Sequence, residues 1–326
     1  MMKKMIKLVA AMVALAASVL AFDAPAQSYP AKPVRWVVGY PAGGGTDFLA
    51  RTVGTQLSQQ LGQPVLIDNR PGAAAIIASE IVARSPGDGY TVFSADNGVL
   101  VYNPVLYRKL PYDAEKDFVA LGMMGRSPLI ITAAPGTGFA DAKALIAALR
   151  KEPGKYSIAT PGAGSPHHLA LELFQREAGV QLLHVPYKGG APALQDLMGG
   201  QVPLMMLDLP SGISAVKAGK VVPLLAMSGE RVPQLPQVPT AKELGFGEVE
   251  AYTWQGLVVP AATPKDIQQK LGADLLKAMN DAAVRQKLFD AGWEARPTNA
   301  ADMNRYVQSE RKKWQALIAA REIRID

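Results

Sequence analysis

The sequence predicts an α/β protein built as two halves, each a parallel-core sheet flanked by helices. Two observations predict it. Short β-rich runs alternate with stretches of helical spacing along most of the chain, and each half holds one glycine-rich strand-to-helix turn, the two units beginning about 120 residues apart. The length of 326 residues gives ample core for one large or two medium domains, and a hydrophobic share of 49% excludes a disordered chain.

In the first half, Val34–Val38, Val65–Asp68 and Tyr90–Ser94 read as strands. Thr46–Leu61 reads as a helix because Leu49, Val53, Leu57 and Leu61 recur every four residues. Gly62 closes it as a residue just past a helix end should. A second helix is expected over Ala73–Arg84. In the second half, strands are expected at Leu129–Thr132, Tyr156–Ala159, Leu182–Val185, Leu204–Leu207 and Val222–Met227. Helices at Asp141–Arg150, Pro166–Ala178 and Ala191–Met198 lie between them. From Pro264 onward the chain reads as helical to its end. No Pro-rich or Gly/Ser-rich linker cuts it into independent beads.

The first residues read as an address. Lys3, Lys4 and Lys7 precede fifteen residues, Leu8–Phe22, in which Ser18 is the only polar side chain, and Ala24-Pro25-Ala26 follows. That pattern is a secretory signal peptide, with cleavage expected after Ala26. The apolar run falls short of the roughly 20 residues a membrane span needs. No cysteine stands at the cut for lipid attachment, so no membrane anchor is expected and the mature chain should be exported and soluble. Loss of three lysines and Asp23 takes the net charge from +6 to +4. Such a thin positive charge is no nucleic-acid footprint, and Arg311-Lys312-Lys313 beside Glu310 reads as a solvated helix face.

Composition removes much chemistry. Without cysteine there is no disulfide framework, thiol nucleophile or iron–sulfur cluster, and three histidines (His167, His168, His184) leave no multi-histidine metal site. Neither a metal nor a cofactor is expected.

The two glycine turns carry the functional reading. The strand Val34–Val38 runs through Tyr40-Pro-Ala-Gly43-Gly44-Gly45-Thr46-Asp47 into a helix, and Tyr156–Ala159 runs through Thr160-Pro-Gly162-Ala-Gly164-Ser165 into another. Helix starts beyond the carboxyl ends of strands offer unpaired N–H groups and the positive end of the helix dipole. Glycine lets a ligand approach that backbone, so each turn is a candidate anion seat that needs no cationic side chain. Thr46 and Ser165 stand at capping positions, with Pro166 at the first helical position. The plain alternatives are that the glycines only permit tight packing, and that Asp47 pairs with Arg51 on a helix surface.

Neither turn ends in the Gly-Lys-Ser/Thr of a phosphate loop or completes a dinucleotide fingerprint, and no Gly-x-Ser-x-Gly or His-Glu-x-x-His occurs. Ser165 and His168 are three apart, but a Ser–His dyad needs an orienting group and an oxyanion hole. Other strand-end loops can face the same cleft: Asp96-Asn97-Gly98, Tyr187-Lys188-Gly189 and Asp208. Tyr40, Tyr102 and Trp254 hint at an aromatic or longer ligand, while the lack of an arginine clamp argues against several simultaneous carboxylates.

Together these motifs resemble the Bug (TctC-like) family of extracytoplasmic solute receptors, the binding subunits of tripartite tricarboxylate transporters. The resemblance rests on Tyr29-Pro-x-Lys-Pro-Val-Arg35, Pro41-Ala-Gly-Gly-Gly-Thr-Asp47 with Ala50-Arg51, Leu61-Gly-Gln-Pro64, Asn69-Arg-Pro-Gly72 and Asp88-Gly-Tyr90. It continues through Asn103-Pro104, Leu110-Pro-Tyr-Asp113, Asp117-Phe118, Gly162-x-Gly-Ser-x-x-His168 and His184-Val-Pro-Tyr-Lys-Gly189. Gly199-Gly-Gln-Val202, Pro236-x-Val-Pro-Thr240 and Thr263-Pro264 complete it. The family implies a bilobed, type II-like periplasmic-binding-protein fold that closes on one small carboxylate, gripped by backbone amides of both glycine turns and bridging waters. Tyr40 stands where phenylalanine is usual, and Leu207-Asp208 replaces a common Asp-Asn pair, both in the region of the distal pocket.

The resulting expectation is a monomeric periplasmic receptor that hands its ligand to transporter membrane subunits, with no catalytic residue. Lobe one would be 27–126 plus 255–326 and lobe two 127–254, with crossing segments near Arg126–Ile130 and Tyr252–Leu257. The expected ligand contacts are Tyr40, Gly43, Gly44, Gly45, Thr46, Asp47, Asp96, Asn97, Gly162, Gly164, Ser165, His168 and Asp208. A sensor feeding a signalling partner would carry the same features, and an exported hydrolase would need Ser165 or Asp47 as a catalytic group. Dicarboxylates, tricarboxylates, aromatic acids, amino acids and nicotinate-like acids all remain open as ligands.

Overall fold

Strand β1 (Val34–Val38) is buried at Val34 and from Trp36 to Val38, and it pairs in parallel with β2 (Val65–Asn69) and β3 (Thr91–Asp96). These strands belong to a computed structural model that describes Met2 and residues 29–247 and 249–325. The signal-peptide reading of 1–26 falls, Met2 aside, outside the described residues. Helix α1 (Gly45–Leu61) crosses from β1 to β2. Its four-residue repeat of Leu49, Val53, Leu57 and Leu61 is buried together with Trp36, Leu271 and Leu288. Each such leucine contributes roughly 1.5–3 kcal/mol by leaving water.

Helix α2 (Ile76–Ala83) starts later than the sequence suggests, because Ala73–Ala75 forms a tight 3-10 turn with Ala74 and Ala75 in the left-handed region. After β3 a π-turn over Gly98–Tyr102 leads into the short α3 (Asn103–Leu106).

Strand β4 (Phe118–Ala133) is the spine of the molecule. Over Phe118–Pro128 it pairs antiparallel with β9 (Tyr252–Pro260), and over Leu129–Ala133 with β7 (Leu204–Asp208). The sheet order is β2-β1-β3-β9-β4-β7-β5-β6, with β8 (Val222–Ala226) and β10 (Glu294–Ala295) also on β4. One half is thus built on β1–β3 and the other on β5 (Ser157–Thr160), β6 (Leu183–Pro186) and β7, where β5 runs parallel to both neighbours. Helices α4 (Ala142–Lys151), α5 (Pro166–Ala178), α6 (Gly190–Met198) and α7 (Leu209–Lys217) cover the second half.

Where β4 passes between the halves, Arg126 forms a two-pronged ion pair with Glu294 and lies 3.9 Å over the Tyr252 ring. The chain then returns to the first half as α8 (Lys265–Met279), α9 (Ala282–Asp290), β10 and α10 (Ala300–Ala320). The tail is therefore not continuous helix: Gly292, at φ +85°, breaks it ahead of β10. Helix α10 buries Trp314 beside Tyr102, and Arg321 just past its end pairs with Glu172 on α5. One large core cluster runs through both halves along β4, and a second lies between the first sheet and α1, α8 and α9.

Candidate ligand-binding site

The first glycine turn is shaped by Asp47. Gly43 adopts φ +83°, and its N–H donates to Asp47 Oδ2 at 2.9 Å. Arg51 Nε donates to the same oxygen at 2.9 Å, and Asn69 Nδ2 donates to Oδ1 at 3.0 Å and to the Tyr40 carbonyl at 3.0 Å. Burial works to raise the Asp47 carboxyl, but these hydrogen bonds together hold it below the ordinary range. Asp47 is thus an internal brace that fixes the turn as a charged group.

Gly44 caps α1 in an extended conformation, and the first helical bond runs from Phe48 N–H to the Gly44 carbonyl at 3.0 Å. The N–H groups of Gly45, Thr46 and Asp47 precede that bond and have no acceptor within the helix. Gly43 and Gly44 are exposed, so the positive end of a 17-residue helix opens outward here.

The second turn is arranged differently. Gly164, at φ +74°, donates its N–H to His168 Nδ1 at 3.1 Å. Ser165 Oγ donates to the Gly162 carbonyl at 2.7 Å and accepts the His168 N–H at 3.3 Å, while the Ser165 N–H also reaches Gly162 O. Pro166 has no N–H. Most donors of this turn are therefore satisfied within it. Because His168 Nδ1 accepts, its proton sits on Nε2, 3.9 Å from Glu172 Oε1. The ring stacks on His184 at 4.2 Å, and His184 shares a 2.7 Å hydrogen bond with Thr160 Oγ1. Burial pushes both imidazoles down to about 4, His168 adding to the effect on His184. Ser165 and His168 thus meet through backbone and capping bonds, not as a hydroxyl–imidazole dyad.

Asp208 lies in the second half, facing the start of α1. It caps α7, accepts from Ser211 N–H and Oγ, and forms a buried 2.8 Å pair with His167 Nε2 in the first turn of α5. Burial alone would raise its carboxyl, but His167 and Ser211 bring it below the usual value. A Cβ placed on Gly45 would lie 3.7 Å from Asp208 Oδ2 and 2.7 Å from Pro210 Cβ. The starts of α1 and α5 therefore flank the same carboxylate from opposite halves. Trp293 Nε1 adds a 3.3 Å bond to the Gly45 carbonyl.

The remaining expected residues line the far side of the first half. Tyr40 hydroxyl donates to Asp96, whose other oxygen accepts the Val99 N–H. Full burial raises the Asp96 carboxyl despite these bonds. Asn97 is completely buried and stitches β3 to β9, donating to the Tyr252 carbonyl at 2.9 Å and accepting the Trp254 N–H at 3.0 Å. Tyr102 and Trp254, read as hints of an aromatic ligand, are core: they are fully buried and pack on Trp314 and Tyr306. Sequence reasoning missed His167 and Gln255. Gln255 Nε2 donates to Thr46 Oγ1 at 3.1 Å, and its one outward signal is being the lone amide in the apolar strand Tyr252–Pro260.

A profile described as the tripartite tricarboxylate transporter family receptor matches residues 49–323. The chain belongs to that receptor family. Protein BugT of Bordetella pertussis is 33% identical over 307 residues, covering 93% of this receptor and 94% of that protein. The structure of R. palustris Rpa4515 with adipate superposes with a TM-score of 0.85 at 33% identity, covering 89% of this receptor and 97% of that chain. MatC from Rhodopseudomonas palustris with bound malate gives a TM-score of 0.81 at 31% identity, covering 89% and 100%. The receptor thus has the bilobed α/β periplasmic-binding-protein fold of a periplasmic solute receptor. No helix among the described residues is long and apolar enough to cross a membrane.

Proposed function

We propose that the receptor is exported, loses residues 1–26, and captures a small organic carboxylate between its lobes for delivery to the membrane subunits of a tripartite transporter. It acts by binding and closure, without catalysis. The observation that carries this reading is the open N-terminus of α1, at Gly44–Thr46, held against Asp208 and Pro210 of the opposite half. The adipate and malate in the related structures support a carboxylate as the ligand class.

In this reading the first turn seats the carboxylate with its free amides. The second, self-bonded turn supplies a rigid wall, so the two turns differ in their work. The ligand contacts come from the turn residues Gly43–Asp47 and Gly162–His168, with Tyr40, Asp96, Asn97 and Asp208 shaping the pocket around them. Lobe one is 27–126 with 255–326 and lobe two is 127–254. The change of β4 partners around Arg126–Leu129 supports those limits. Closure follows because the bound anion interacts with both lobes only when they meet.

Thermal unfolding against mono-, di- and aromatic carboxylates tests the function. A ligand at 100 times its Kd adds about 2.7 kcal/mol, a rise of several degrees in Tm. Gly44→Val tests the seat, because a Cβ on Gly44 meets nothing closer than the Pro41 carbonyl at 3.6 Å. The variant should fold and lose the shift. A flat panel, or a Gly44→Val variant with undiminished affinity, would overturn the reading.

A further inference from the structure

Gln255 sits on β9 opposite Asp96 of β3 and Gly125 of β4, where the strand leaves the crossing between the halves. It is 1% exposed. One end of its amide is tied down, with Nε2 donating to Thr46 Oγ1 in the first turn of α1. The other end, Oε1, is buried and has no hydrogen-bond partner among the described residues. A buried, unpaired carbonyl oxygen is costly, and a native structure keeps one where some further group completes it. The other buried side-chain atoms lacking a partner among the described residues are Gln60 Oε1, Asn103 Oδ1, His167 Nδ1, Trp254 Nε1 and Thr263 Oγ1, of which His167 also belongs to the site, through Asp208. What distinguishes Gln255 is its tether to the residue next to Gly45, at the open helix end.

We propose that Gln255 is a specificity-determining residue that reads a hydrogen-bond donor, a hydroxyl or amino group, on the ligand carbon next to the seated carboxylate. The inference rests on the carboxylate seat proposed above and adds to it the substituent that the ligand carries. The chemistry follows from the amide. A carboxylate held at the N–H groups of α1 cannot itself satisfy a carbonyl oxygen, because both are acceptors. A donor one bond away on the ligand can. The amide is oriented with Nε2 donating to the Thr46 hydroxyl, which leaves Oε1 as the free end. The same contact couples recognition to the strand that crosses between the lobes.

Matched pairs differing by one substituent test this by calorimetric titration of the purified receptor: lactate against propionate, and malate and aspartate against succinate. In the wild type the hydroxy or amino member of a pair should bind about tenfold or more tighter, the worth of one buried hydrogen bond left unmade. Gln255→Met, close in size and lacking both donor and acceptor, should bring that ratio to about one while the unsubstituted acid still binds. Gln255→Glu retains an acceptor oxygen and should keep the order of preference. A purely structural glutamine would weaken both members equally and leave the ratio unchanged in Gln255→Met, which would overturn the proposal. A wild type that favours the unsubstituted acids would do the same, since no group of the site would then be receiving the substituent. Should Gln255→Met fail to fold, the wild-type ratio still decides. Absence of binding for every acid in both proteins would overturn the receptor reading along with this one, whereas binding without discrimination would sink this one alone.

Discussion

Gly45→Ala gives the sharpest mechanical test of lobe closure. The added Cβ would stand 2.7 Å from Pro210 Cβ, against an ordinary carbon–carbon contact of about 3.5–4.0 Å. The two residues must separate by roughly 1 Å, and they belong to opposite halves of the molecule. Backbone strain does not enter, because Gly45 is not among the glycines with positive φ. Overpacking of this kind costs about 1–3 kcal/mol when the structure cannot yield. On the proposed closure it yields by opening, so the penalty should fall on the closed state alone. Ligand affinity should drop about five- to 150-fold, while the ligand-free unfolding midpoint stays near that of the wild type. Calorimetric titration gives the affinity, and solution scattering with saturating ligand gives the radius of gyration, which should remain that of the open form. Removing the opposing Cβ with Pro210→Gly in the same chain should restore much of the affinity. Wild-type binding by Gly45→Ala would refute the argument. So would loss of affinity that Pro210→Gly fails to restore, since the Cβ would then be acting on the ligand directly.

Three further outcomes are expected. The His168 and His184 imidazoles are neutral in the fold because their values are depressed from 6.5 to about 4. The unfolded chain therefore takes up protons that the native state refuses, and stability present above pH 6.5 is lost as pH falls toward 4. His168 alone accounts for on the order of 3 kcal/mol, with the less buried His184 contributing less and Glu172 opposing; urea unfolding across that range should show His168→Gln with a weaker pH dependence. Asp208→Ala strips His167 and Ser211 of their acceptor and should cost about 3–5 kcal/mol by calorimetric unfolding, a loss under about 1 kcal/mol contradicting the pairing. Ala74→Gly relieves a left-handed alanine at φ 50° and should add up to about 1 kcal/mol, seen as a higher urea midpoint at unchanged slope.

The half-proteins were legible because their signals are local. Helix α1 announces itself by spacing and by Gly62, and Ser165-Pro166 marks the start of α5 in the residues themselves. The spine strand β4 is legible only over Leu129–Thr132, since Gly122, Gly125 and Pro128 read as breakers upstream. In the fold they mark close approach. A Cβ on Gly122 would strike the Thr298 carbonyl at 2.2 Å, and one on Gly125 would lie 3.0 Å from the Glu294 carbonyl. Both come from a segment roughly 170 residues away, which no local pattern can report. The two register shifts between β4 and β9 fall at those glycines.

The site divides along the same line. The glycine turns could be read as anion seats, but which of them keeps its amides free depends on side chains that fold back. His168 Nδ1 takes the Gly164 N–H and Pro166 offers none, whereas in the first turn Asp47 takes the Gly43 N–H and the amides of Gly45 and Thr46 lie beyond it. Two turns alike in sequence therefore differ in electrostatic role. The pairing of Asp208 with His167, and of Gln255 with Thr46, spans 41 and 209 residues of chain. A lone glutamine in an apolar strand is a weak sign on its own. It gains meaning only when the fold sets it, half satisfied, beside the start of α1, where the Gly45 and Thr46 amides have no acceptor within the helix.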